Sequence, residues 1–260
     1  MTNPPAAESD RPLIIVTNDD GYDAPGLLAL AGALKDLADL AVIAPDHNWS
    51  ATGHSRTLFA PIHTREVLLA DGTPALATSG SPADCVALGL LGLTPRPPDL
   101  VVSGINGGAN VGHDLTYSGT VAGAREGAIH GVPAIAASLD VKGPAEFGTA
   151  ARVVARLVAR LLANLPKRMT LLNVNVPAIP EDEIRGLQVT RIGERIYRDV
   201  LLRREDPRGQ PYYWIGGDPP TGVAAPGTDI GALAAGYVSV TPLLLDPTDY
   251  PRLDQLATLL

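Results

Sequence analysis

One cysteine, Cys85, stands alone in a chain of 260 residues. No internal disulfide can form, and a reducing cytoplasm is the expected home of such a chain. No apolar run approaches the ~18 residues of a transmembrane helix, so no membrane partner is expected. The opening "MTNPPAAESDRP" lacks a basic segment leading into an apolar one, and reads as a frayed tail rather than a signal peptide. Positive charge is also short: 20 Lys and Arg against 28 Asp and Glu leave a net charge of −8. That argues against a groove for a nucleic-acid duplex. An anionic substrate would need local help, from a metal ion or from a helix N-terminus. The common nucleotide and hydrolase signatures are missing. There is no G-x-G-x-x-G, no G-x-x-x-x-G-K-[ST], no G-x-S-x-G and no H-E-x-x-H. Nor is there an internal repeat or a low-complexity tract.

What is present is enough for a full core. Hydrophobic residues make up 45% of the chain, and this length holds one large domain or two small ones. "PLIIVTN" (12–18) reads as a strand buried on both faces, "APGLLALAGALKDLAD" (24–39) as a helix and "LAVIAP" (40–45) as a second strand. Strand, helix, strand in this order implies a parallel sheet with helices on its faces. Two strands joined by a turn at "ADGTP" follow within 58–79, then a helix over 81–93 capped by Ser81. The alternation continues with a strand over 99–104, a helix over 120–131 and a strand over 132–139. It ends with an amphipathic helix over 144–165 and a strand over 169–177. From Glu181 the pattern changes: 186–217 alternates like an antiparallel pair turning at "DPRGQ", and 236–246 reads as one more strand. The expected fold is α/β, a Rossmann-like, doubly wound, mostly parallel sheet with a C-terminal antiparallel hairpin extension. Residues 1–180 form the core, and 181–260 complete it.

The stretch "IIVTNDDGYDAPG" (14–26) sets two carboxylates, Asp19 and Asp20, side by side where a buried strand ends. Their repulsion is tolerable in a solvated turn or around a shared cation. In open α/β sheets, ligands lie beyond the carboxyl ends of the parallel strands. Three polar loops leave such ends: 18–23, 45–55 and 104–114. If the strands are neighbours, one crevice gathers Asp19, Asp20, the Ser50 hydroxyl and the amide oxygens of Asn106 and Asn110. An oxygen-rich set without thiolates suits Mg²⁺ or Mn²⁺. The plainer reading, Asp as a turn former or helix cap, stands beside it, and Asp23 is expected to cap the first helix. His54, in the second loop, is a candidate acid or phosphate contact.

The helix over 120–131 is a second clue. Ser118, Gly119 and Thr120 sit where its free backbone N–H groups would point, a natural place for phosphate. Ser118 as a plain helix cap is compatible with that role. Gly119, Gly123, Gly127 and Gly131 recur every fourth residue, which suggests another backbone packed close against the stripe. His63, His113 and His130 read as surface or packing residues, Cys85 as a buried small hydrophobe, and Trp214 as a core or interface residue.

At these residues the sequence resembles the SurE family, the stationary-phase survival proteins that act as nucleotidases. The resemblance runs through "IIVTNDDGYDAPG", "APDHNWSATGHS", "TSGSPADCV", "VVSGINGGANVGHD", "YSGTVAGAREGA" and "NVNVP", with "PYYWIGG" and "GYVSVTPL" beyond them. It implies a 5′-nucleotidase, a divalent-metal-dependent phosphomonoesterase that hydrolyses nucleoside 5′(3′)-monophosphates with metal-activated water. It implies one Mg²⁺ or Mn²⁺ per subunit, held by Asp19, Asp20, Ser50 and Asn106, with Asp19, Asp20 and Asn106 catalytic. Phosphate and substrate contacts carry over onto Asn18, Gly53, His54, Asn110, Ser118, Gly119 and Thr120. It further implies a homodimer or homotetramer joined through about 190–217 and 236–260. Two departures are Ser81, where many relatives carry Thr, and Trp49, where relatives often have a polar or basic residue. The first keeps the capping hydroxyl; the second could alter substrate preference. Two rival readings remain. One is a phosphoaspartyl enzyme of the haloacid-dehalogenase type, whose usual D-x-D spacing the D-D here does not match. The other is a nucleotide-binding module without turnover.

Overall fold

The computed structural model describes residues 10–141, 143–164 and 170–259. The expected tail falls mostly on residues 1–9, outside the described residues, as do the outer ends of the segments expected over 144–165 and 169–177. The chain opens with β1 (Leu13–Thr17), α1 (Pro25–Leu34), β2 (Asp39–Pro45), β3 (Thr64–Leu68) and β4 (Pro74–Thr78). It continues through α2 (Pro82–Leu88), β5 (Leu100–Gly107), α3 (Gly119–Ile129), β6 (Ala134–Asp140), α4 (Gly148–Ala163) and β7 (Leu171–Pro177). The last elements are β8 (Leu187–Val189), β9 (Arg195–Glu205), β10 (Pro211–Gly222), α5 (Asp229–Ala234), β11 (Val238–Leu243) and α6 (Leu253–Leu259).

Nine strands form one mixed sheet in the order β3-β4-β2-β1-β5-β6-β7-β11-β8, and β9 pairs only with β10. The doubly wound α/β expectation holds. The six strands β4, β2, β1, β5, β6 and β7 run parallel, while β3 and β11 join antiparallel to β4 and β7. Apolar residues line both faces. Leu27, Leu30, Leu34, Val154 and Val158 cover one side of the sheet from α1 and α4. Val86, Val121, Ala124 and Ala128 cover the other from α2 and α3. This explains why "LIIVT" is buried at every position of β1: a strand covered on both faces has no reason to alternate.

The chain steps from β1 outward to β2, then returns to place β5 on the other side of β1. The strand order therefore reverses between β1 and β5. That is where a crevice opens beyond the carboxyl ends of an open sheet.

Two local expectations are revised and a third is narrowed. Asp23 does not cap α1. The N-cap is Ala24, without a side-chain bond, and Pro25 follows at the first helical position, where its fixed φ suits the helix and its missing N–H costs nothing. The glycine stripe of α3 meets side chains of the sheet, not a second backbone. A Cβ at Gly119 would lie 2.7 Å from Asp19 Cβ, one at Gly123 2.9 Å from Ser103 Oγ, and one at Gly127 2.6 Å from Val101 Cγ2. Gly131 lies past the helix end with φ +81° and open space around it, so it is a turn residue outside the stripe. Of the two places expected for Trp214, core or interface, its exposure on β10 rules out the core of the chain and leaves the interface.

Candidate active site

The turn after β1 is built by its own side chains. Asn18, fully buried, donates from Nδ2 to the Gly21 carbonyl at 2.8 Å and accepts the Gly21 N–H at 3.3 Å. Its amide is thus spent on bracing the turn that carries Asp19 and Asp20. Asp19 is buried, and its Oδ1 accepts the Thr120 hydroxyl at 2.5 Å. The backbone N–H groups of Gly119 and Thr120, at the start of α3, face this carboxylate and favour its charged form. The anion at the N-terminus of α3 is therefore Asp19 itself, and a side chain at Gly119 would push it away. Ser118 caps the helix by accepting the Val121 N–H at 3.1 Å.

Asp20 is half-buried beside it, near the backbone N–H of Gly107 at the end of β5, which favours its charged form. The neighbouring Asn106 donates from Nδ2 to the Gly108 carbonyl at 2.7 Å. The third loop closes the ring. The Trp49 N–H donates to the Asp19 carbonyl at 2.7 Å, and the Gly53 N–H donates to the Tyr117 carbonyl at 3.0 Å, just before α3. Asn48 Nδ2 reaches Asp20 Oδ1 at 3.5 Å, and the exposed Ser50 follows Trp49 on this loop. Three loops and one helix N-terminus thus converge on two carboxylates.

Among the described residues no positive side chain compensates the charge at this point. Burial pushes the Asp19 carboxyl above its usual range, against the bonds from Thr120 and the backbone. Burial and then the charge of Asp19 push Asp20 up as well. Neither carboxylate makes an ion pair among the described residues. Nor do the described residues offer a group of three His, Cys, Asp or Glu side chains for a metal. The available donors are two carboxylates with hydroxyl and amide oxygens around them. That set fits a hard divalent cation that completes its shell with water, and such a charge would reverse both upward shifts.

The remaining candidates lie around this centre. Asn110 is buried behind it: its N–H donates to Asn175 Oδ1 at 2.8 Å, its Nδ2 to Ser138 Oγ at 2.8 Å, and its carbonyl accepts from Asn173 and Asn175. His54 turns to α3, where its Nε2 bonds Glu126 Oε2 at 2.8 Å. His63 and His113 are exposed, and His130 bonds back to its own helix at the Glu126 carbonyl, 3.0 Å away. Cys85 is buried at the Thr78 hydroxyl, and burial lifts its thiol to about 12, out of nucleophilic range.

Sequence reading missed Glu126, Arg56 and Asp84. The signal was there for Glu126, which lies seven residues after Gly119 on the face of α3 turned to the protein, in a helix otherwise made of small and apolar residues and one arginine. A buried acid needs partners. It was also there for Asn173 and Asn175, two amides on one face of an apolar strand.

Comparison with known proteins places this arrangement among relatives. Residues 14–199 match the family described as survival protein SurE. A protein of Chloroflexus aggregans called 5′-nucleotidase SurE is 52% identical over 246 residues, covering 94% of this chain and 97% of its own length. The protein of the same name from Herpetosiphon aurantiacus is 52% identical over 251 residues, with 94% and 97% covered. The crystal structure of the SurE protein from Aquifex aeolicus superposes with a TM-score of 0.82 at 42% identity, covering 95% of this chain and 99% of that one.

Proposed function

The chain belongs to the SurE family, and on that premise we propose that it is a 5′-nucleotidase, a metal-dependent phosphomonoesterase that converts nucleoside 5′- and 3′-monophosphates to nucleoside and phosphate. The observation that carries the reading is the pair Asp19 and Asp20, buried and half-buried at the reversal point of the sheet and without a cationic partner among the described residues. Asp19, Asp20, Ser50 and Asn106 would hold one Mg²⁺ or Mn²⁺. When bound, such an ion supplies Lewis-acid polarisation of a phosphoryl oxygen and acidifies a water.

The residues of the chain do the rest. The Thr120 hydroxyl fixes the orientation of Asp19 and opposes the effect of burial on its carboxyl. Ser118 accepts from Val121, which leaves its hydroxyl hydrogen for a phosphate oxygen. Asn110, held by Asn175 and Ser138 behind the carboxylates, completes the phosphate side of the crevice in this reading, and Gly53 and His54 carry the 46–57 loop to the substrate. Asn18 contributes by bracing the turn. The phosphoaspartyl alternative is disfavoured, because Asp19 is buried and its Oδ1 already accepts a short bond from the Thr120 hydroxyl, which makes it a poor nucleophile. A homodimer or homotetramer formed through β9, β10 and the C-terminal segment belongs to the same reading, as does a cytoplasmic location. No helix among the described residues is long and apolar enough to cross a membrane.

Phosphate release from nucleoside monophosphates, measured with Mn²⁺, with EDTA and after Mn²⁺ is restored, tests the proposal. Turnover abolished by EDTA and recovered with the ion supports it. Nucleotide binding without turnover would leave a binding module, and an acyl phosphate trapped on Asp19 or Asp20 would install the phosphoaspartyl mechanism.

A further inference from the structure

A cluster of charged residues lies next to the crevice without belonging to it. Glu126 is buried on α3, 4% exposed at its side chain. Its Oε2 bonds His54 Nε2 at 2.8 Å, and its Oε1 pairs with Arg56 Nη1. His130, one turn further along α3, stands 3.6 Å from Oε1. The same Arg56 reaches Asp84 Oδ1 through Nε at 3.1 Å. Asp84, also buried, accepts the Thr57 N–H at 3.1 Å and the Thr57 hydroxyl at 2.6 Å, while closing the capping box of α2 with Ser81. The Ser81 hydroxyl in turn donates to the Ser55 carbonyl at 2.7 Å.

Apart from the His130 contact and the capping box, these bonds end on one segment, residues 54–57, the far end of the loop that carries Trp49, Ser50 and Gly53. Its near end is tied to the Asp19 carbonyl through Trp49. Between the two anchors, residues 50–52 are exposed. The loop is long, polar and outside regular structure, so without fixed ends it would sample many conformations. A buried carboxylate that binds two loop side chains is an expensive feature unless those bonds persist.

We propose that Glu126 is a positioning residue: through His54 and Arg56 it clamps the 46–57 loop over the Asp19–Asp20 crevice and sets the face that the His54 ring presents to substrate. Ionised Glu126 can only accept, so Nε2 of His54 must carry hydrogen toward it. The free nitrogen is then Nδ1, which makes no hydrogen bond among the described residues. The proposal rests on the assignment of the crevice as a phosphomonoesterase site, but the clamp is a physical property of the loop and can be read without turnover.

The experiment pairs hydrogen–deuterium exchange of the metal-free protein with steady-state kinetics, for Glu126→Gln, Arg56→Ala, His54→Ala and the double variant His54→Ala with Glu126→Gln. Exchange of peptides spanning 49–57 should rise in Glu126→Gln and Arg56→Ala, while peptides from β5 and the first half of α3 keep wild-type protection. A purely structural role would raise exchange across α3 and β5 together, and that outcome overturns the proposal. Loss of one charge-assisted pair predicts kcat/KM down by about 10- to 100-fold in Glu126→Gln, carried mainly by KM and by the Mn²⁺ concentration at half-saturation rather than by kcat. The double variant should be no worse than the poorer single one. Wild-type loop exchange with wild-type kcat/KM, or losses that multiply in the double variant, would contradict the clamp. Should Glu126→Gln fail to fold, Arg56→Ala carries both readouts, because the Arg56 side chain is 37% exposed, Glu126 keeps its His54 bond and Asp84 keeps those from Thr57 and Ser81. A wild-type protein inactive on every nucleoside monophosphate would sink the functional reading, while the exchange result would still decide the clamp.

Discussion

Two regions of this molecule invert the ordinary distribution of residues, in opposite senses. At the β1–β5 end of the sheet, polar groups are buried: Asn18 and Thr120 are fully covered and Asp19 is 4% exposed. On the β9–β10 hairpin, apolar groups are in the open: Leu201 is 65% exposed, Trp214 65% and Ile215 79%. Each inversion is costly unless something offsets it, and the two kinds of cost call for different partners. Buried carboxylates are offset by charge and hydrogen bonds brought inside the protein. Exposed aromatic and aliphatic side chains are offset by another surface laid over them. The first region points to a small charged ligand, and the second, in the proposed reading, to another copy of the chain.

The sharpest way to break the comparison is to neutralise one region and watch the other. Asp19→Asn should remove most activity, because several kcal/mol of transition-state stabilisation depend on the cation site, on the order of 10³-fold in kcat/KM. The hairpin should be indifferent, with the molar mass by light scattering unchanged. A variant with wild-type kcat/KM would remove the special status of the carboxylate pair.

A smaller effect is expected where the backbone of α3 approaches Asp19. Gly119→Ala places a methyl 2.7 Å from Asp19 Cβ and 2.8 Å from Oδ2, whereas a Cβ at Gly32 of α1 meets nothing within 4 Å. Overpacking costs about 1–3 kcal/mol, and here it falls on the carboxylate, so Gly119→Ala should lose about tenfold in kcat/KM together with several degrees of Tm. Gly32→Ala should gain about 0.5–1 kcal/mol from helix propensity and leave kinetics unchanged. Equal Tm values for the two variants would mean that the close approach is not real.

The reciprocal test charges the hairpin. Ile215→Glu, on an exposed antiparallel ribbon paired at Leu201, should shift the light-scattering mass toward a single chain while Mn²⁺ affinity stays within about twofold, since the sites lie on different elements. An unchanged mass would assign the apolar face some other partner.

The smallest effect concerns acid stability. Although burial works against it, the His54 bond, with the Arg56 and His130 charges, holds the Glu126 carboxyl below its ordinary 4.5. A depressed carboxylate contributes stability that is present above the unfolded value and is lost as pH falls through the folded one. The Tm difference between wild type and Glu126→Gln should therefore be largest above pH 4.5 and should narrow below it. A difference independent of pH would mean that Glu126 contributes by packing alone.

The legibility of the two regions also differs. The parallel strands, the helix start at Ser118 and the convergence of three loops could be read ahead of the structure, because each rests on a local pattern: an apolar run, a cap, a polar loop at a strand end. The placement of the polar donors could not. Asn18 and Thr120 looked like substrate contacts, but Asn18 braces its own turn and Thr120 serves Asp19. The Asn18 turn is a local pattern that was passed over, but the Thr120 pairing depends on which residues the topology brings together across 101 positions, and no local pattern encodes it. Glu126 was overlooked for the same reason, since its partners lie 70 and 72 positions away. The glycine stripe was noticed, but its neighbours were misjudged: the spacing marks a close approach without saying what approaches.

The central claim is that Asp19 and Asp20 form one cation site. Isothermal titration of Mn²⁺ into the metal-free wild type, Asp19→Asn and Asp20→Asn tests it most directly. The account predicts one ion per chain in the wild type and affinity reduced at least about tenfold, the equivalent of ~1.4 kcal/mol, in each variant, with both variants folded because each substitution also relieves the repulsion between the carboxyl groups. Equal Mn²⁺ affinity in all three proteins would contradict it.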